Sequence, residues 1–92
     1  MKTIENKSYS VQYNISFFSH GRKDIQFKAD GYPDILSAKT DTNKIRNVLV
    51  EEGVANARFV LDVVICDSDN EYVDYDSVVV VYENGVLTFL DN

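Results

Sequence analysis

Carboxylates are the groups in this chain most able to do chemistry, and they concentrate in one acidic segment, residues 67–76. The segment reads DSDNEYVDYD, in which five of the ten residues are Asp or Glu and none is Lys or Arg. A calcium-binding loop that began at Asp67 would require Gly at its sixth position and Glu at its twelfth. Tyr72 and Val78 stand at those positions, so the segment does not match an EF-hand.

Asp74 and Asp76 are a carboxylate pair that could act in acid–base catalysis or hold Mg²⁺. They are two residues apart on a predicted strand, so both side chains project from the same face. Catalysis would also require a partly dry cleft with a base or a substrate anchor nearby. The sequence indicates no such cleft, and both acids are predicted to be solvated.

Other chemical signatures are weak. His20 is the only histidine and Cys66 the only cysteine, so a zinc site would have to be completed by carboxylates and an internal disulfide cannot form. The four glycines stand apart at 21, 31, 53 and 85, and none belongs to a phosphate-binding loop. We therefore predict no catalytic residue, no metal ligand and no cofactor, and we interpret the protein as non-enzymatic.

Charge is distributed unevenly along the chain. The net charge is −6, yet residues 1–58 hold all nine Lys and Arg against seven acids, whereas residues 59–92 hold eight acids and no Lys or Arg. Such asymmetry indicates an interaction face, and the negative sign opposes direct binding to nucleic acid. The alternative is that the acidic loops only keep a valine-rich half soluble.

Strand and turn patterns predict most of the secondary structure. Apolar and polar residues alternate over residues 8–18 and again over 25–30, which predicts an antiparallel hairpin. Further strands are predicted at Ala57–Cys66, Tyr72–Tyr82 and Val86–Leu90, the last two joined by a type I′ turn at Asn84-Gly85. In Ala57–Cys66 both faces are largely apolar, which predicts a central strand covered on much of both sides.

One helix is predicted between the second and third of these strands. Asp41 or Thr42 can cap it, Ile45, Val48 and Leu49 form an apolar stripe, and Gly53 follows its end. Residues 35–39 fit either a short strand or a first helical turn. The predicted fold is a single α+β domain over residues 1–92, with residues 1–7 expected to be disordered. It has a mostly antiparallel four- to five-stranded sheet and one helix packed on one face, in the order β-β-α-β-β-β.

The predicted location is cytoplasmic, without membrane contact. The start, MKTIENKSYS, has charge but no apolar run behind it. The longest uncharged apolar stretch, Val78–Tyr82, is too short to cross a bilayer. A single free thiol at the end of an apolar strand suits a reducing compartment.

The acidic segment is the predicted partner-binding site. Tyrosine is enriched at binding hot spots, and carboxylates two residues apart on a strand form a row with a spacing of ~7 Å. Such a row can compete for a basic groove that otherwise holds a phosphate chain. The predicted site residues are Asp67, Asp69, Glu71, Tyr72, Asp74, Tyr75 and Asp76. The sequence therefore predicts a protein that binds and inhibits a basic, nucleic-acid-handling partner.

In size, acidity and lack of catalytic motifs, the chain is similar in kind to phage-encoded inhibitors of bacterial defence, including anti-CRISPR and anti-restriction proteins, and to immunity proteins that neutralise basic nuclease toxins. No family motif is matched residue by residue, so this resemblance implies no particular site residue. The alternative function is a structural or assembly module, such as a homodimer formed through strand edges. Val78–Tyr82 suggests it, as an apolar run on an uncovered strand.

Overall fold

Five strands and two short helices make up the part of the chain that the structure, a computed structural model, describes: residues 8–90. The elements are β1 (Tyr9–Phe17), β2 (Ile25–Tyr32), α1 (Ile35–Lys39), α2 (Thr42–Glu51), β3 (Ala57–Cys66), β4 (Tyr72–Glu83) and β5 (Val86–Leu90). The α+β class is confirmed. The disorder expected for residues 1–7 falls outside the described residues.

The strands form one sheet in the order β2-β1-β3-β4-β5, with every neighbouring pair antiparallel. β3 lies at the centre, as its apolar sequence predicts. Asn84 and Gly85 both have positive φ, 50° and 79°, which is the backbone geometry of the predicted type I′ turn. That turn fixes the register of β5 against the last five residues of β4, from Val79↔Leu90 to Glu83↔Val86.

The hydrophobic core lies between one face of the sheet and the two helices. Alternate residues of the central strands are buried on that face, and the helices contribute Ala38, Ile45 and Leu49. The buried strand residues are Val11, Tyr13, Ile15, Phe59, Leu61, Val63, Ile65, Val80 and Tyr82. The predicted packing of helix against one face of the sheet is therefore confirmed, and we call the other side the open face.

The open face of β3, predicted to be covered over much of its area, is less covered than the core face. Val60, Val64 and Cys66 alternate with the core residues and are only half-buried. Within residues 8–90 both helices pack on the core face. An apolar strand sequence shows that the residues tolerate burial, but it does not show whether a second layer exists to bury them.

The ambiguous residues 35–39 are helical because Asp34 caps them. Its carboxylate accepts a hydrogen bond from the Ser37 backbone N–H at 2.7 Å, which satisfies one of the free donors at a helix start. That contact lowers the pKa of Asp34. The helix is held to the sheet by Tyr13, whose buried hydroxyl donates to the Ala38 carbonyl at 2.7 Å. Burial raises the pKa of Tyr13 to about 12, so this hydroxyl stays protonated and remains a donor.

Asp41 is expected to be the most sensitive polar position in the helical layer. Its carboxylate accepts from the Lys44 backbone N–H at 3.3 Å, which caps α2, and from the Tyr32 hydroxyl at 2.6 Å, which ties the helix start to β2. Replacing Asp41 by Ala removes both contacts and should reduce the free energy of unfolding by about 1–3 kcal/mol. Asp41→Asn keeps a capping oxygen and should lose markedly less in urea denaturation. Equal losses for the two variants would contradict this role.

Candidate functional site

The acidic segment occupies the turn between β3 and β4 and the first half of β4. The structure places its residues at one end of the sheet but gives them three different environments. Some organise the turn, some face the helical layer, and some face solvent on the open face. The predicted continuous row of outward carboxylates is therefore shorter than the sequence suggests.

Asp67 is mainly a turn-forming residue. Its carboxylate Oδ1 accepts from the backbone N–H groups of Asp69 and Glu71, at 2.9 and 3.0 Å. Its main chain also closes the turn, since its N–H donates to the Glu71 carbonyl and its carbonyl accepts from Asn70, both at 2.9 Å. Asn70 has a φ of 64°, which a short polar side chain tolerates. These contacts hold the exposed Asp69 and Glu71 on an ordered backbone.

Asp74 and Asp76 project towards the helical layer. They pair across the sheet with the core residues Ile65 and Val63, and cross-strand partners share a face. Lys39, at the end of α1, reaches both: its Nζ lies 3.1 Å from Asp74 Oδ2 and 3.6 Å from Asp76 Oδ2. Lys39 therefore partly neutralises the negative charge of Asp74 and Asp76, the two carboxylates predicted to mimic a phosphate chain.

The ion pair with Lys39 shifts both partners towards their charged forms. The hydrogen bond from Lys39, followed by that from the Tyr75 backbone N–H, lowers the pKa of Asp74. The hydrogen bond to Asp74 in turn raises the pKa of Lys39. The side chains of Lys39 and Asp74 remain about one-third exposed, at 30% and 33%, so water screens the attraction.

The Lys39 contact is expected to support stability at neutral pH and to lose that effect in acid. Because the folded pKa of Asp74 lies below its usual 3.8, its contribution is present above that value and disappears as pH falls through the folded pKa. The contribution of Lys39, whose pKa is raised from 10.5, is lost only in strong base. Lys39→Met should therefore melt below the wild type at neutral pH, and the gap should narrow as the pH falls below 3.8 and through the folded pKa of Asp74. A gap that stays constant across this range in circular dichroism melts would contradict the assignment.

Tyr72 and Tyr75 lie on the open face, opposite the side to which Asp74 and Asp76 project. Tyr75 pairs with Val64, and a bulge shifts the register so that Tyr72 pairs with Cys66. The two rings are 63% and 49% exposed. The Tyr75 hydroxyl donates to Asp62 Oδ1 at 3.0 Å, which raises the pKa of Tyr75 and fixes the ring position. The site thus presents two exposed aromatic rings beside the exposed acids of the turn.

Three neighbouring residues belong to this end of the molecule although the sequence patterns do not point to them. Asp62 orients Tyr75, and Lys39 neutralises part of the acidic segment. Asp30 of β2 joins Asp67 in lining a shallow depression of about 280 Å³. Asp30 and Lys39 are distant from the acidic segment along the chain, and Asp62 lies before it on β3. Only the strand order and the position of α1 bring them there, so local sequence offers no signal for them.

The polar groups exposed at this end are the carboxylates of the turn and the tyrosine hydroxyls. Within residues 8–90, no group of three His, Cys, Asp or Glu side chains is arranged to hold a metal ion. Over the same residues, no helix is both long enough and apolar enough to cross a membrane.

No family model matches the chain, no curated protein shows a significant match to it, and the same is true of the solved structures.

Proposed function

We propose that the protein is a non-enzymatic inhibitor that binds a basic, nucleic-acid-handling protein through the β3–β4 end of its sheet. The observation that supports this most is the pair of exposed rings, Tyr72 and Tyr75, held beside the exposed carboxylates of Asp69 and Glu71. Tyrosine supplies contact area at small entropic cost. Carboxylates steer a basic partner towards the surface.

In this proposal, inhibition comes mainly from occlusion of the partner's groove. Lys39 pairs with Asp74 and Asp76, so mimicry of a phosphate chain by those two residues is weakened. Asp69 and Glu71 are exposed to solvent, and with the tyrosines they would cover a basic groove and exclude nucleic acid. An anti-defence protein of a phage or an immunity protein against a nuclease toxin would use such a surface.

The test is to purify the bound partner from the native host cells and measure its affinity at about 50 and about 500 mM salt. The variant Asp69→Asn with Glu71→Gln removes the outward charge, and Asp24→Asn with Glu83→Gln is the matched control at the other end. We expect a basic partner, weaker binding at high salt, a loss confined to the first variant, and competition with nucleic acid. A neutral or acidic partner, or affinity that neither salt nor the first variant changes, would overturn the proposal.

Self-association through strand edges is the second candidate. The edge open to it differs from the one that the sequence suggested. Val79–Glu83 is paired with β5, so the apolar run that suggested an uncovered edge is mostly covered. The edge of β4 that β5 leaves unpaired is the acidic half before Val79. Antiparallel pairing of two copies there would set Asp74 and Asp76 against the same carboxylates of the other copy, and like charges across strands are destabilising.

We therefore expect the protein to be a monomer at neutral pH. Sedimentation equilibrium at rising protein concentration should give a mass near 10.5 kDa. The variant Asp74→Asn with Asp76→Asn removes the repulsion and should associate measurably at the same concentrations. A wild-type dimer that survives high dilution would instead favour the assembly module.

A further inference from the structure

Within residues 8–90, the outer side of Tyr72–Val78 is not paired with β5, and we call it the free edge of β4. The direction of its backbone groups follows from the neighbouring hairpin. Glu83 and Val86 flank the two-residue turn, so Glu83, Val81 and Val79 direct their backbone groups towards β5. By the two-residue alternation of a strand, Tyr75 and Ser77 direct theirs to the same side, beyond the end of β5. The pairing on the other side agrees. The Arg58 carbonyl accepts from the backbone N–H of Phe18, on the β1 side. The even-numbered residues of β3 therefore direct their backbone groups towards β1, and its odd-numbered residues exchange hydrogen bonds with the even-numbered residues of β4.

The donors on this edge are occupied by side chains of the strand itself. Asp74 Oδ1 accepts from the Tyr75 N–H at 2.9 Å, and Asp76 Oδ1 accepts from the Ser77 N–H at 3.0 Å. Within residues 8–90 no strand pairs with this half of β4 on its outer side. Charged side chains on an edge strand discourage unspecific pairing. An incoming strand must therefore displace these contacts, after which the two carboxylates share only the single cation of Lys39.

Charge identifies the kind of strand that can do so. A second copy of this chain would bring more carboxylates, whereas an extended segment bearing Lys or Arg would bring cations to Asp74 and Asp76. Its residues opposite Tyr75 and Ser77 would lie on the open face, where the Tyr75 ring offers apolar contact. The fitting pattern is basic and apolar residues in alternation, with the basic side chains on the helical side of the sheet.

We infer that the partner contributes such a segment as a sixth strand, paired antiparallel with Tyr72–Ser77 of β4. This inference rests on the proposed function and specifies how the surface is used. The main chain of Tyr75 and Ser77 supplies affinity, and Asp74 and Asp76 select basic side chains over acidic ones. Strand addition is selective because a segment with cations at alternate positions offers Asp74 and Asp76 new partners. The N–H groups of Tyr75 and Ser77 are then free to pair with the incoming strand.

The test uses a blocked peptide that alternates Lys and Val over nine residues, titrated against the intact protein by fluorescence anisotropy. In an antiparallel pair, the residues opposite Tyr75 and Ser77 exchange hydrogen bonds with them, and in this peptide those residues are valines. N-methylation of the valines should therefore weaken binding at least about ten-fold, whereas N-methylation of the lysines should be tolerated. A peptide with Glu in place of Lys should not bind.

A variant of the protein gives the reciprocal test. Ser77→Pro removes an edge donor that takes no part in pairing with β3, and proline is tolerated on an edge strand; Ser77→Ala is its control. We expect peptide affinity to fall at least about ten-fold for the proline variant only.

Equal effects of methylation at valine and lysine would overturn strand addition, and so would failure of the alternating peptide to bind. Those outcomes would leave the proposed function standing, because partner capture and its salt dependence do not require a sixth strand. If Ser77→Pro fails to fold, the pair of methylated peptides still decides the question.

Discussion

Replacing Tyr72 and Tyr75 by alanine is expected to weaken binding of the basic partner by about 30-fold or more for each residue, the effect typical of aromatic hot spots. Both rings are largely exposed in the free protein, so their removal costs contact area in the complex and disturbs few contacts in the monomer. Tyr75→Phe keeps the ring and removes only the hydroxyl that donates to Asp62. It should therefore retain most of the affinity.

Val86→Ala is the matched control for this experiment. Val86 is 60% exposed, as accessible as Tyr72, but it lies beside the turn at the opposite end of β4. Affinities from isothermal titration calorimetry, with circular dichroism to verify folding, separate the two ends. Losses of similar size for Val86 and the tyrosines would show that the contact surface lies elsewhere or spreads over the whole open face.

Replacing Phe59 by alanine is expected to have the largest effect on stability. Phe59 is fully buried, its ring meets the Phe17 ring edge-on at 5.9 Å, and it pairs with Val80 at the centre of the sheet. Truncation of such a residue costs about 3–5 kcal/mol. That is a large part of the roughly 5–15 kcal/mol available to a domain of this size, so the variant should unfold at much lower urea concentration.

Val64→Ala is the corresponding change on the open face. Val64 is half-buried, and the helices pack on the opposite face. Its loss should cost about 1 kcal/mol or less. A cost close to that of Phe59→Ala would mean that the open face is covered by a layer of its own, which would contradict the one-sided core.

Local patterns were sufficient to predict the elements because each is encoded by neighbouring residues. The alternation around Tyr13 predicts β1, and Asn84-Gly85 predicts the last hairpin because both residues accept positive φ. Asp41 or Thr42 predicts the start of α2 because a capping side chain must lie close in sequence to the N–H groups that it satisfies, and the structure has Asp41 as the cap. In all three cases the structure agrees.

Features that depend on tertiary arrangement could not be predicted in the same way. The alternation places Asp74 and Asp76 on one face but does not say which face, and the core residues on β3 decide it. Lys39 is too far away in sequence for any spacing rule to pair it with Asp74. Within residues 8–90, β5 reaches only Val79, which leaves the first half of β4 unpaired on its outer side. This length difference has a meaning only once the strand order is known.

Of the predicted site residues, some are exposed to solvent and others make contacts within the protein itself. Asp69, Glu71, Tyr72 and Tyr75 remain the exposed residues on which the proposed binding depends. Asp67 holds the turn, and the pair of Asp74 and Asp76 lies between Lys39 and the strand edge. In the proposed function, the acidic segment both stabilises the fold and attracts the partner, because carboxylates that stabilise a turn or an edge still contribute their field to a basic protein.

Hydrogen–deuterium exchange on the complex of the protein with its captured partner tests the central claim most directly. The proposal predicts slower exchange on binding across residues 68–77, with the rest of the sheet little changed. Exchange that slows only around the exposed Phe18 and its neighbour Arg58, while residues 68–77 exchange as in the free protein, would contradict a binding surface at the β3–β4 end.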